Sequence, residues 1–238
     1  MYDIILQAGQ SNSEGCGFGF VERPFIPDER ILYYNSDFTI SKAEEANWDG
    51  ETICNLSLSF ARRYLDEGLL SDSRKLLIIR AAVGGTGFLD GRWGLNDDLY
   101  LRMIEMTKGA LATDRAGNRL VAFLWHQGES DAGLNASFET HYNNLSTLLK
   151  TVRGLFDCET LPFIAGDFVN DWKSANLAIC EPVVAAIRAV CDEMSPAAFV
   201  ETADLTSNAQ TNGGDDDIHF CRKSLMTLGE RYFEAFHK

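Results

Sequence analysis

Five short apolar runs, separated by longer segments in which apolar residues recur at intervals of three and four, constrain this chain more than any other feature. A run of four to eight residues that is apolar on both faces suits a strand covered on both sides, and the 3.6-residue period between runs suits helices lying on those faces. Strands are expected at Ile4 to Ala8, Leu76 to Ala82, Leu120 to Trp125, Pro162 to Ala165 and Ala198 to Glu201. Helices are expected at about residues 54–67, 97–113, 137–156, 176–193 and 222–236, with Gly68, Gly117 and the stretch from Asp157 to Pro162 as punctuation. Such alternation is the pattern of βαβ units and of a parallel sheet, here expected as one α/β domain over residues 1–238. Residues 12–53 depart from it. They hold Gly15, Gly17, Gly19, Pro24 and Pro27 among scattered aromatics with no sustained period, and are read as an elaborated loop over the site.

Composition removes several classes of function. The formal charge of −14 would repel phosphate backbones and anionic membrane surfaces, so neither nucleic acid nor membrane is an expected partner. Hydrophobic residues at 45% and charged residues at 24% fit a globular chain with a large interior; an assembly of like chains is left open. Six cysteines at wide, irregular intervals include no CxxC pair, which argues against a zinc site and against a compact disulfide framework. Met1-Tyr2-Asp3 leads straight into an apolar strand without a basic n-region, so the chain reads as cytoplasmic unless a leader was removed.

In an open parallel sheet, ligands bind beyond the carboxyl ends of the strands, where strand order reverses. Four polar or glycine-rich clusters stand at such ends: Gln10-Ser11-Asn12, Gly84-Gly85-Thr86, His126-Gln127-Gly128-Glu129, and Asp216 to His219. Ser11, on a strand-to-helix turn, is the candidate nucleophile, although a serine there also serves as a helix N-cap. His219 is the candidate general base. Asp216, three residues before it, can reach back to orient the imidazole, with Asp215 and Asp217 as weaker candidates. For the developing oxyanion, Gly84 or Gly85 can offer a backbone N–H and Gln127 a side-chain amide, beside the N–H of Ser11. Gln10, Asn12 and Glu129 sit in the same clusters as substrate-binding or orienting residues. His126, Glu129, Asp131 and His219 could be mistaken for metal ligands, but HxxE lacks the second histidine of the zinc hydrolase helix, and neither metal nor cofactor is expected. Phe25, Tyr33, Trp48 and Trp93 are the candidate ligand-stacking platforms, with core packing as the alternative for each.

These clusters, in this order, resemble the SGNH or GDSL-like hydrolases, and among them the sialate O-acetylesterase and acetylxylan esterase group, carbohydrate esterase family six. Gly9-Gln10-Ser11-Asn12 is similar to that group's nucleophile block, and Gly84-Gly85-Thr86 to its second block. Trp125 to Asp131 resembles its W-x-QGESD block, and Asp216 to Phe220 its D-x-x-HF block. The resemblance runs on through Leu228-Gly229-Glu230-Arg231 and so covers most of the chain. It implies a three-layer α/β/α, flavodoxin-like sandwich with a five-stranded parallel sheet. It also implies metal-independent removal of acetyl groups from an acetylated carbohydrate, a xylo-oligosaccharide or a sialic acid, through an acyl-enzyme. The implied triad is Ser11, Asp216 and His219, with Ser11, Gly85 and Gln127 as oxyanion donors; Glu129 has also been considered for the acid role in such enzymes. A non-catalytic sugar-binding protein on this fold, and a lipase or thioesterase of the superfamily, remain the rival readings.

Overall fold

In the computed structural model, which describes residues 1–238, the apolar runs pair into one sheet. The strands are β1 (Tyr2–Gly9), β2 (Ile31–Tyr34), β3 (Ile40–Lys42), β4 (Ala46–Trp48), β5 (Glu51–Ile53), β6 (Lys75–Arg80), β7 (Arg119–His126), β8 (Phe163–Gly166) and β9 (Ala197–Val200). The helices are α1 (Ser11–Glu14), α2 (Leu56–Asp66), α3 (Asp98–Ala112), α4 (Glu129–Gly133), α5 (Phe138–Leu155), α6 (Asn170–Ala175), α7 (Leu177–Glu193), α8 (Asn208–Asn212) and α9 (Arg222–Phe236).

The sheet has seven strands rather than the expected five, in the order β3-β2-β6-β1-β7-β8-β9. All neighbours are parallel except the edge pair β2 and β3. The two added strands come from residues 12–53, so part of that segment extends the sheet instead of forming a loop. β2 is only four residues long and β3 is exposed, so neither carries a period. Their strand character comes from backbone pairing, β2 with β6 about forty residues further along the chain and β3 with β2. A second hairpin from the same segment, β4 and β5, stands apart from the main sheet.

Alternation along each central strand supplies both faces. Ile4, Leu6, Leu77, Ile79, Phe123 and Trp125 point into the layer made by α3, α5 and α7. Ile5, Leu76, Ile78, Ala122 and Leu124 point into the layer made by α2 and α9. The result is the expected three-layer α/β/α sandwich. On the second face the two helices approach backbone to backbone. A Cβ added at Gly229 of α9 would lie 2.0 Å from the carbonyl oxygen of Leu56, which accounts for a glycine inside an otherwise good helical period.

At the far end of the sheet from the candidate site, Asp3 of β1 is fully buried. It accepts hydrogen bonds from Arg74 Nε at 2.7 Å, Arg119 Nε at 2.7 Å and Tyr64 Oη at 3.0 Å. Burial pushes its carboxyl up, but Arg119, Tyr64 and Arg74 together outweigh burial and hold it below the usual range. A depressed folded-state value means that this stabilisation is full above the unfolded carboxylate range near pH 4 and is lost as pH falls through the folded value. Asp3→Asn is therefore expected to destabilise the protein by about 2–3 kcal/mol at neutral pH, with the difference from wild type shrinking below about pH 4. Urea unfolding of both proteins across that range measures it; a difference independent of pH would contradict the assignment.

Candidate active site

Strand register brings the four clusters to one level. Across β1 and β6, Gln7 lies opposite Arg80; across β1 and β7, Gly9 lies opposite His126. Because β1 is flanked by β6 on one side and β7 on the other, the chain segments leaving these strands meet where the strand order reverses. Gly9 permits the meeting. Its φ is +123°, and a Cβ there would stand 2.1 Å from the carbonyl oxygen of His126.

Ser11 opens the single turn of α1, directly after Gln10 in extended conformation. Its hydroxyl oxygen is 2.9 Å from Nε2 of His219, and Nδ1 of His219 is 2.8 Å from Oδ1 of Asp216. The second oxygen of Asp216 accepts from Asn208 Nδ2 at 2.8 Å, so the carboxylate is held on both sides. Asp215 and Asp217 make no such contact. This is a hydroxyl, an imidazole and a carboxylate in series, a geometry able to move a proton off the serine and stabilise the imidazolium that forms.

Asn12 is what carries the far end of the chain to this place. Its Nδ2 donates to the carbonyl of Ile218 at 3.0 Å and its Oδ1 accepts the N–H of Phe220 at 3.0 Å, gripping the chain on either side of His219. It is fully buried and does not line the cavity, so the expectation of a substrate contact is corrected to a clip that positions His219. Its remaining hydrogen bond, 2.8 Å to Oε1 of Glu129, ties that loop to α4.

The two glycines that sequence could not separate differ in one bond. The N–H of Gly84 is taken by the Glu14 carboxylate at 2.6 Å, while that of Gly85 has no partner in the protein and Gly85 lines the cavity. Gln127 is a second correction. Its amide donates to Asp131 Oδ2 at 2.8 Å and more weakly to the carbonyl of Thr86, and it lies outside the cavity. Asp131 in turn accepts the N–H groups of Phe88 and Leu89 at 3.0 and 2.8 Å. Burial raises the Asp131 carboxyl, but His141, the Leu89 N–H and Gln127 overcome it, so it sits below the usual range. Gln127 and Asp131 thus brace the segment after β6 instead of facing a reacting group. Gln10 does face the cavity, and its Oε1 accepts from the N–H of Ser130 at 3.1 Å.

The cavity holds about 510 Å3, and its wall includes Ser11, Gly85, Glu129, His219, Arg80 and Trp48. Trp48, at the tip of the β4–β5 hairpin, is 62% exposed and free to meet a sugar ring. The other three candidate platforms are not. Trp93 is fully buried against Trp125, Tyr33 is buried beneath Arg80, and Phe25 lies in a separate cleft under Arg62.

Sequence reasoning passed over Arg80. Its guanidinium stacks on the Tyr33 ring at 4.7 Å and has no carboxylate partner, unlike Arg74, Arg119 and Arg222, each of which is ion-paired. It also borders a smaller polar cleft of about 230 Å3 that contains Arg102. The available signal was its position as a cation closing an apolar strand at the end where ligands bind.

A family described as carbohydrate esterase, sialic acid-specific acetylesterase, matches residues 1–238. A "probable carbohydrate esterase" of Arabidopsis thaliana is 26% identical over 200 residues, covering 74% of this chain and 75% of the relative. Among solved structures, NanS superposes with a TM-score of 0.80 at 18% identity, over 99% of this chain and 96% of that one. An Arabidopsis thaliana protein gives 0.78 at 21% identity, over 99% and 97%. A carbohydrate acetylesterase from Xanthomonas citri gives 0.64 at 14% identity, with 98% of this chain on 55% of that one. At these identities the superpositions establish the shared fold.

Proposed function

The chain belongs to the carbohydrate esterase family of sialic acid-specific acetylesterases, and from that premise we propose that it deacetylates a carboxylate-bearing acetylated sugar through an acyl-enzyme formed on Ser11. The observation that carries this reading is the run of contacts at 2.9 and 2.8 Å from Ser11 through His219 to Asp216. In the first step the Ser11 oxygen bonds to the acetyl carbon as its proton passes to Nε2 of His219. The bond from that carbon to the sugar oxygen then breaks, and His219 returns the proton to the departing oxygen. A water molecule, deprotonated by the same nitrogen, releases acetate and restores the serine. The N–H groups of Ser11 and Gly85, both free of protein partners, are the donors for the oxygen on which charge develops in this reading.

Arg80 supports the acidic-sugar form of the reading over a neutral xylo-oligosaccharide. An unpaired guanidinium in the wall of the cavity of a chain with net charge −14 suits a carboxylate, which it can hold through two parallel hydrogen bonds. Trp48 supports a sugar ring beside it. Gln10, Glu14, Glu44 and Asn55 in the same wall offer hydrogen-bond partners to the hydroxyl groups of a sugar.

Acetate release from O-acetylated sialic acids and from acetylated xylo-oligosaccharides tests the substrate directly. Arg80→Gln is expected to lower kcat/KM for the sialic acid relative to the neutral sugar by roughly thirtyfold, the worth of a charge-assisted contact of about 2 kcal/mol. Equal losses on both substrates would remove Arg80 from substrate discrimination.

A further inference from the structure

Behind the candidate triad lies a buried set of polar groups that is one proton short. Tyr232 of α9 donates its hydroxyl hydrogen to the carbonyl of Trp125 at 3.0 Å. Its oxygen, 2.9 Å from Nδ1 of His126, must therefore accept, which places the hydrogen of the neutral imidazole on Nδ1 and leaves Nε2 as a lone pair. That nitrogen is fully enclosed and has no partner. The group facing it is Glu129, whose Oε1 is 3.8 Å away and already accepts from Asn12. Oε2 of Glu129 is likewise enclosed and without a partner. Two enclosed acceptors, Nε2 of His126 and Oε2 of Glu129, thus lie on neighbouring side chains with no hydrogen supplied to either, an arrangement that costs free energy on both sides.

We propose that Glu129 is a neutral carboxylic acid whose O–H points at Nε2 of His126 and whose carbonyl oxygen anchors Asn12, so that it acts as a positioning residue for the segment carrying His219. Oε1, the oxygen 3.8 Å from Nε2, keeps Asn12, and a turn of the carboxyl about its soft terminal torsion brings Oε2, which carries the hydrogen, toward Nε2. Every polar group in the series is then matched. Tyr232 donates to Trp125, His126 to Tyr232, Glu129 to His126, and Asn12 to Glu129 and Ile218.

The surroundings oppose a charge here. The titratable groups around Glu129 are Asp131 on its own helix, His126 at the end of β7, Tyr232 on α9, Cys180 on α7, Cys16 after α1, and His219; no lysine or arginine is among them. Burial pushes the Glu129 carboxyl up, only partly offset by the Asn12 hydrogen bond, and burial pushes the His126 imidazole down to about 3, so both shifts disfavour charge and favour a shared proton on Glu129 over His126. A carboxylate at this place would be a buried, unpaired charge. The same geometry separates Glu129 from the role of orienting His219 Nδ1, which Asp216 already contacts.

This inference rests on His219 being the base, and its test separates the two. Glu129→Ala should lower kcat for acetyl-ester hydrolysis by tenfold or more with KM changed less than about threefold, because Asn12 loses its anchor while Arg80 and Trp48 remain in the cavity wall. Glu129→Gln, which keeps a donor toward His126 and an acceptor for Asn12, should restore kcat to within about threefold of wild type and remove any loss of kcat that accompanies ionisation of Glu129. Such a loss has the sign of a neutral form that works below its raised pKa and disappears as pH rises through it. Difference infrared spectra, wild type minus Glu129→Gln at neutral pH, should show the C=O stretch of a protonated carboxyl, and this readout stands even if no substrate is turned over. A carboxylate band in its place, or a Glu129→Gln protein as impaired as Glu129→Ala, overturns the proposal.

Discussion

Ser11→Ala is expected to lower kcat for acetyl-ester hydrolysis by a factor on the order of 10⁴ to 10⁶, since the members of such a triad act as a unit and what survives is catalysis by binding and oxyanion contacts alone. The fold should be unaffected, because the only side-chain hydrogen bond of Ser11 is the one to His219, and removing one hydroxyl from the wall of the cavity costs little. Circular dichroism and the unfolding midpoint should match wild type while turnover disappears. Two further readouts bear on the acyl-enzyme. A fluorophosphonate should label Ser11 covalently in the wild type and nothing in Ser11→Ala, and rapid-quench mass spectrometry should find acetate bound to the peptide containing Ser11. A sugar-binding protein on this fold, without an activated hydroxyl, would stay unlabelled. Near-normal turnover by Ser11→Ala would move the nucleophile elsewhere.

Asp216→Asn is expected to cost about 10³- to 10⁴-fold in kcat with little change in stability, and the reason lies in both of its oxygens. One oxygen faces the ring nitrogen of His219 and the other the amide of Asn208. An asparagine has one acceptor and one NH2 group, so it cannot serve both. If its NH2 turns to His219, the imidazole takes the tautomer with hydrogen on Nε2, which points a donor at the Ser11 oxygen and removes the base. Asp215→Asn and Asp217→Asn should each change kcat by less than about twofold, because neither side chain contacts the imidazole. Steady-state kinetics on the three variants decides among them. Loss confined to Asp217 or Asp215 would reassign the orienting acid.

Residues differ in how far their roles could be read ahead of the fold, and the difference is one of range. The expected helix at 222–236 and the observed α9 coincide, and the strands expected at Ile4, Leu76, Leu120, Pro162 and Ala198 all form within a few residues of their expected bounds. In each the period of apolar residues is a local property, imposed by which face must be hidden. β2 and β3 were illegible for the opposite reason: Ile31 to Tyr34 becomes a strand because its backbone finds β6, and nothing within the segment itself announces that partner. The same holds at the site. Asp216 and His219 are three residues apart, so their contact was readable, whereas the contact of His219 with Ser11 spans 208 positions. That one was expected only through the resemblance and the rule that sites gather at strand ends.

The sequence by itself determined the alternation of strand and helix, the acidic charge, and the kinds of chemical group available at four points along the chain. Tertiary structure alone decided which of those groups are free to react. It engaged the N–H of Gly84 with Glu14 and left that of Gly85 open, turned Gln127 inward to Asp131, made Asn12 a clip, and left Arg80 unpaired in the cavity wall. The physical reason is that composition and period report what each residue would prefer in solvent or in a core. Whether a donor or a charge is already satisfied depends on partners that only folding brings within 3 Å.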